Sequence, residues 1–590
     1  MDRIIGKGTF RDAFKNQTLV PSELPPGTGR RLAERANATA GPVDAALRTK
    51  AEFSALYDLL LAEQGQPGGG AAEATAAPAD LGLVLRDPDD RPTAIGRIVE
   101  TYLGAARDKA EFFDQDMYHV EVTGWPPGVL TADKVLQAPP GARLTLARSG
   151  APDDTLLATP SFSMVNSGNM TARAPKRSWK IDFEVGTSED RLYGMERINL
   201  KAMYNDPSQM REALAWRLLE RAGVPASQHT YATFSINDRY LGLFSVIEQV
   251  DRKFLKDHFG RNAEGNLYKA YCGDVGCATL EHRTGTDGDD GGRQYFTAGS
   301  REDDRTYRLK TNEDVPAAAT YDDLAALVRT VDGAGLPGGE DRFASDAFRA
   351  SVEEILNVPA FLRWAGANVL LGSWDNYFAT PSNYYLYNSG RLGDPTGFMA
   401  RPYFTFVPWD YDNSSGIDFF ATPWQYTDLL DWPSMTRNYC RTTHAPHAES
   451  RLPLFTNLLR HHDFCQYYLD HLEYLLDTEF VPDRVAALIG AEGSGRTDGL
   501  WQRVSAAAYG ESTSRHGQPF TGRQFTNDEV YRAGYRQWEL SRGAQFTYGI
   551  FHYTRMRHDS ARQQLAELRK TYPNGASGAT FPGAMEVLPA

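Results

Sequence analysis

The chain has 590 residues but only four cysteines, too few to staple a protein of this size, which argues against the disulfide-rich secreted class. Long apolar runs are missing as well. No stretch approaches the roughly 18 residues of a membrane span, and the opening MDRIIGKGTFRDAFK puts charges where a signal peptide needs an apolar segment. These absences predict a cytoplasmic protein with no membrane span, with a surface or exported location left open. Positive charge is also in deficit: 62 Lys and Arg stand against 76 Asp and Glu, a net −14. That balance argues against nucleic acid or anionic lipid as a partner, because replacing counterions needs a surplus of Lys and Arg. With no HExxH and no second CxxC pair, structural zinc and zincin chemistry are not expected. Cys272 and Cys277, in YCGDVGC, are either a small disulfide loop or two unrelated thiols.

Apolar and aromatic residues are plentiful, at 41% and 12%, enough to bury sizeable cores. Residues 1–115 carry helical spacing in AALRTKAEFSALYDLLLAE and GRIVETYLGAARDKAEFFD, with a Gly/Ala/Pro-rich linker near 65–80, and read as a helical extension. From Met117 the pattern changes to short alternating runs, MYHVEVTGW, ARLTLARSG, SWKIDFEV and TYATFSIN, separated by turn residues, as in an antiparallel sheet. Between the last two lies SQMREALAWRLLERAG, a helix with Ser208 as N-cap and Gly223 as terminator. Beyond Asp251 the spacing is mainly helical, in YDDLAALVRTVDG, SVEEILNVPAFLRWAGANVLLGSW and LPLFTNLLRHHDFCQYYLDHLEYLLDTEF. The fold class is therefore α+β. Its expected divisions are 1–115, a sheet-rich unit over 116–250, a mainly helical unit over 251–560 and a tail over 561–590. TGTDGDDGG at 284–292 lacks the order and closing Glu of a calcium loop and reads as a solvated loop.

Chemistry concentrates in WDNYFATPSNYYLY (374–387) and YFTFVPWDYDNSSG (403–416). Two strands joined by a turn would bring Asp375, Asn383 and Asp410 to one end of a hairpin. An acid, an amide and a second acid there suit Mg²⁺ and the phosphates it bridges, since hard oxygen ligands suit that ion. The same set serves phosphoryl transfer. Asp-Asn pairs are also common in turns and caps, so the spacing alone leaves a structural role open. Asp412 is read as a turn residue, with a second metal ligand as the alternative.

Four segments resemble the CotH kinase family (spore coat protein H). They are NSGNMTARAPKRSWKIDFEV (166–185), INDRYLGLFSVIEQVDRKFL (236–255), YRLKTNED (307–314) and the pair of C-terminal runs above. The resemblance covers roughly 117–480 in the family's order and implies an atypical protein-kinase-like two-lobed fold, an antiparallel-sheet N-lobe before a mainly helical C-lobe. It further implies an enzyme that uses ATP and Mg (or Mn/Ca) to phosphorylate Ser/Thr of a protein substrate. By that resemblance Asp375 is the catalytic acid, Asn383 and Asp410 are metal ligands, and Lys180 reaches the nucleotide phosphates. Glu212, or next Glu220, partners the lysine, and Glu248 lies at the lobe junction near adenine. HRD, DFG and VAIK triplets are absent, and the Asp375 to Asn383 interval exceeds the roughly four intervening residues of ordinary kinases. Transfer of an adenylyl or glutamyl group, or a non-catalytic coat or surface protein, are the alternatives. IGKGTFRDAFK at 5–15 only imitates a Gly-rich loop, since Arg11 replaces its third Gly. The acidic balance further predicts basic, Ser-rich acceptor segments.

Overall fold

The computed structural model describes residues 112–573 apart from 114–116, 127–134, 168–175, 184–191, 260–261, 274–275, 283–304, 339, 392–396, 420–421, 433–451, 491–498, 511–532, 534–538 and 543–544. The expected N-terminal helices and linker, the 5–15 imitation and the 284–292 loop lie outside the described residues.

The first half is one nine-stranded sheet in the order β2-β5-β6-β7-β9-β8-β1-β3-β4. Its strands are β1 (Met117–Thr123), β2 (Leu136–Gln137), β3 (Arg143–Arg148), β4 (Ala151–Thr159), β5 (Ser163–Ser167), β6 (Ser178–Asp182), β7 (Arg197–Lys201), β8 (His229–Ile236) and β9 (Arg239–Ile247). Neighbours run antiparallel except β1 and β8, which are parallel. The alternation seen in the sequence does the sorting. Trp179, Ile181, Ile198 and Leu200 enter the sheet's core with Val120 and Phe234, so the intervening Lys180, Asn199 and Lys201 must share the opposite face. The β8–β9 hairpin turns on Asn237 and Asp238, both at positive φ (48° and 63°), a conformation that matches strand twist and that Asn and Asp tolerate.

Helix α1 (Arg211–Arg221) follows β7, and α2 (Arg252–Phe259) follows β9. The second half is not purely helical. A four-stranded antiparallel sheet, β10 (Asn266–Ala270), β13 (Tyr307–Leu309), β14 (Tyr384–Asn388) and β15 (Phe404–Pro408), runs in the order β13-β10-β14-β15. The short hairpin β11 (Cys272–Gly273) and β12 (Gly276–Cys277) hangs from it, and a disulfide joins Cys272 to Cys277, which resolves the choice the sequence left open. Around this sheet pack α3 (Asp322–Val331), α4 (Asp346–Ile355), α5 (Val358–Leu371), α6 (Pro453–Leu458) and α7 (His462–Thr478). Next come α8 (Pro482–Ile489), α9 (Leu500–Gly510) and α10 (Ile550–Leu568), with a three-stranded sheet of β16 (Ile417–Asp418), β17 (Glu539–Arg542) and β18 (Gln545–Tyr548). Helix α10 runs across residue 560, where the tail was expected to begin.

Helix α5 is the central post: every residue but Arg363 is buried, as expected of a helix apolar on all sides. Each of its large apolar side chains contributes about 1.5–3 kcal/mol by burial. Two helices that the sequence presents as continuous are each broken once. Leu356 is extended and pairs with Phe404, while Asn357 caps α5 by accepting from the Ala360 amide; Pro359, without an amide hydrogen, is tolerated only in that first turn. His461 likewise caps α7 through the Asp463 amide and separates it from α6.

Candidate active site

The hairpin of β14 and β15 builds the site. Tyr384 pairs with Pro408, so Asn383, just before β14, and Asp410, just after β15, emerge at the same end, and the Trp409 amide donates to the Asn383 carbonyl at 3.2 Å. Asn383 and Asp410 both stand at positive φ, 52° and 63°. Such conformations persist where surrounding contacts over-determine them, commonly at functional sites. The Asn383 amide donates to the Asp375 carbonyl at 2.8 Å, which brings the third predicted residue to the same place. Asp375 is held from both sides, its Oδ1 accepting from Thr380 and its Oδ2 from the Asn413 side chain at 3.1 Å. Burial pushes its carboxyl above the ordinary range; Thr380 pulls it back, Asp410 pushes it up again, and Asn413 and Lys201 lower it.

Across from the hairpin stands a residue the sequence reading passed over. Lys201, the last residue of β7, forms an ion pair with Asp410 Oδ1. The two side chains are 12% and 26% exposed, so the pair is not fully sealed in the core. Burial alone would lower the Lys201 ammonium, but Asp410, Glu212 and Asp412 together raise it above its ordinary value. Glu212 is buried, and neither of its oxygens has a hydrogen bond of normal geometry, although the Tyr411 amide and Trp216 indole lie near. Burial lifts its carboxyl to about 7, Lys201 pulling it down and Asp410 pushing it up. Asp412, expected to be a turn residue, is buried and its carboxyl is raised well above the usual range by burial, then by Asp410, with Lys201 opposing and Glu212 and Asp375 adding. Four carboxyl groups thus bear on one lysine, and burial with their mutual repulsion raises those of Asp375, Glu212 and Asp412 above their ordinary ranges.

Helix α1 delivers Glu212 through a cap other than the one expected. The helix begins at Arg211, not after Ser208. Asp206 takes the capping role: it accepts from the Arg211 amide at 2.9 Å and from Ser208 N and Oγ, while Ser208 Oγ accepts from the Met210 amide and the Arg211 guanidinium. Its carboxylate also pairs with the buried Arg211 guanidinium, which reaches the carbonyls of Ser414 and Tyr548. One side chain therefore ties α1 to the segment that follows Asp410.

The other expected residues lie further off. Lys180 pairs in register with Asn199, two residues from Lys201, and so shares that face of the sheet. Burial lowers its ammonium, Arg197 lowers it further, Asp182 and Asp251 raise it, and Lys310 lowers it. The cation beside Glu212 is accordingly Lys201. Glu220 sits in the last turn of α1, where its carbonyl accepts from the Gly223 amide, as the expected Gly223 terminator requires. Glu248 is buried and accepts from the Gln228 amide at 3.0 Å, bracing the residue that leads into β8.

Residues 166–495 match the family model described as "CotH kinase protein", and that match covers more than half of the chain. The chain belongs to the CotH kinase family. Inner spore coat protein H of Bacillus subtilis is 26% identical over 246 residues, 41% of this chain and 56% of that protein. Invasin CotH2 of Rhizopus delemar is 23% identical over 260 residues, and invasin CotH3 of the same organism 22% over 263; each match covers 44% of this chain and 38% of the relative. The chain therefore spans about half or less of the length of the curated relatives it matches. The CotH match begins in β5, where the first motif segment starts and later than the expected extent from about 117, so β1 to β4 lie outside it. It contains Lys180, Lys201, Glu212, Asp375, Asn383 and Asp410.

Among the described residues no group of three or more His, Cys, Asp or Glu side chains is arranged to hold a metal ion alone. That arrangement is compatible with Mg²⁺, which commonly takes one or two protein carboxylates and completes its shell with phosphate oxygens and water. The donors at the hairpin end are of that kind: carboxylate oxygens from Asp410 and an amide oxygen from Asn383, with Asp410 engaging Lys201 through Oδ1 alone.

Proposed function

We propose that this protein is an ATP- and Mg²⁺-dependent transferase that moves a phosphoryl group to Ser or Thr of a protein, on a two-lobed kinase-like fold. One observation carries the reading: Lys201 of the sheet reaches Asp410 of the hairpin beside Glu212, Asp375 and Asn383. A cation, two metal-suited oxygen donors and a separately anchored acid are the parts phosphoryl transfer needs, since its catalysis is mainly positioning and electrostatic stabilisation. Asn383 and Asp410 would hold Mg²⁺, which supplies charge neutralisation on the phosphates when bound. Lys201 would neutralise phosphate charge from the opposite side, released from Asp410 toward the unpaired Glu212. Asp375, fixed by Thr380 and Asn413, would orient the acceptor hydroxyl and take its proton; its raised carboxyl pKa suits that task.

An exported or surface location is part of the proposal, in place of the cytoplasm. The curated relatives are named as a spore coat protein and as invasins, and the Cys272–Cys277 disulfide is of a kind that persists in oxidising compartments. Calorimetry with ATP and Mg²⁺ tests the site: wild type binds, Asp410→Asn loses the Mg²⁺-dependent part, and Asp375→Asn binds but does not transfer. Absence of any nucleotide binding to wild type would overturn the reading.

A further inference from the structure

A second lysine approaches Trp409 from the other sheet. Lys269 lies on β10, in register with Arg308 of β13 and Tyr385 of β14, so these three residues share one face. Its ammonium lies 5.7 Å from the Tyr385 ring centroid and 6.0 Å from that of Trp409, and the Lys201 ammonium approaches the same indole at 5.8 Å. The two lysines therefore converge on Trp409, the residue before Asp410. Lys269 is partly buried, and among the described residues no carboxylate pairs with it: Asp410 bears on it electrostatically but is bonded to Lys201. Burial lowers its ammonium to about 8; Asp410 opposes this, and Lys201, Lys310 and Arg308 lower it further.

A cation held among like charges, partly desolvated and without its own anion is unfavourable as it stands. A multiply charged anion between Lys201 and Lys269 relieves that repulsion. The aromatic faces of Tyr385 and Trp409 hold the ammonium meanwhile, by cation–π attraction, without filling its hydrogen-bonding positions.

We propose that Lys269 is a second phosphate-binding residue of this site, contacting the phosphate chain of the donor alongside Lys201. It rests on the nucleotide reading above for the identity of the donor, while the anion contact itself follows from the cations. Neither the four motif segments nor the Asp-Asn-Asp hairpin points to it.

Calorimetry decides it, with three probes in the presence of Mg²⁺: ATP, inorganic tripolyphosphate and adenosine. Lys269→Met is expected to weaken ATP and tripolyphosphate by about tenfold or more, as for loss of a charge-assisted hydrogen bond, and to leave adenosine within about twofold. Lys269→Arg should restore most of the phosphate affinity, and circular dichroism and melting confirm that both variants fold. Unchanged ATP affinity in Lys269→Met, beside a wild type that binds ATP, overturns the proposal and leaves the nucleotide reading standing. An equal loss for adenosine overturns it too, because that is the signature of a merely structural lysine. Tripolyphosphate binding that depends on Lys269, without ATP binding, supports the anion contact and rejects the nucleotide.

Discussion

Replacing Arg211 with Met probes how the site is held together. The guanidinium and the Asp206 carboxylate are 0% and 1% exposed, so the substitution leaves a buried carboxylate without its counter-charge, at about 3–5 kcal/mol. The Ser414 and Tyr548 carbonyls lose a donor as well, each at about 1 kcal/mol or more. Three donors remain on Asp206, the Ser208 amide and hydroxyl and the Arg211 amide, which keeps the first figure at its lower end. The expected loss is about 5 kcal/mol, a large share of the roughly 5–15 kcal/mol that folded domains possess. Urea unfolding followed by tryptophan fluorescence reads it. The double variant Asp206→Asn/Arg211→Met should recover at least about 1 kcal/mol, because no buried charge is left. A loss below about 1 kcal/mol in Arg211→Met, or a double variant no better than the single one, would refute the view that this pair anchors α1 and Glu212 to the Asp410 segment.

Glu212 gives a pH prediction. Its carboxyl is lifted from 4.5 to about 7 in the fold, so the folded protein holds that proton longer than the unfolded chain. The stability this contributes is fully present below pH 4.5 and is lost as pH rises through 7, by up to about 3 kcal/mol. Glu212→Gln should remove that slope, seen as a wild-type minus variant difference in melting temperature between pH 4.5 and 7.5; parallel curves would contradict it. Reducing the Cys272–Cys277 disulfide should loosen the 375–383 segment, because the Pro381 carbonyl accepts from the Ala278 amide and the Tyr384 hydroxyl donates to Ala278. Hydrogen exchange at 376–383 should rise on reduction and in Cys272→Ser/Cys277→Ser, and no change in either would refute the buttress. Gly372 ends α5 at φ +58°, and an added Cβ would meet the Tyr553 hydroxyl at 2.0 Å. Gly372→Ala is therefore expected to destabilise by about 2 kcal/mol or more, measured as a fall in urea midpoint.

The hairpin that carries Asp375, Asn383 and Asp410 was legible in the sequence because YYLY and FTFVP declare two strands and the carboxylates sit at fixed offsets from their ends. Lys201 was not. RINLK carries the same alternation, Ile198 and Leu200 to the core and Asn199 and Lys201 away from it, but it belongs to none of the motif segments. Its partner Asp410 lies 209 residues along the chain, and no local pattern reports a pairing so remote. Lys180 lies in a motif segment and on the same sheet face, which made it visible, whereas Lys201 is recognisable only by its pairing with Asp410. Lys269 was hidden for the same reason, because its significance comes from Trp409 and Tyr385 across a sheet. The Ser208 cap was mistaken because Asp206, two residues earlier, is the stronger acceptor and is already paired with Arg211. The strands of the second half were partly masked by the helical spacing of their neighbours, and two long helical runs gave no sign that Leu356 and His461 would interrupt them.

Mass spectrometry of a Ser-rich basic protein incubated with this chain, ATP and Mg²⁺ tests the central claim most directly. Phosphoryl groups are expected on Ser or Thr that require Mg²⁺, that disappear with Asp375→Asn and Asp410→Asn, and that fall sharply with Lys201→Met. An adenylyl or glutamyl adduct, or phosphoryl transfer undiminished in those variants, would contradict that claim.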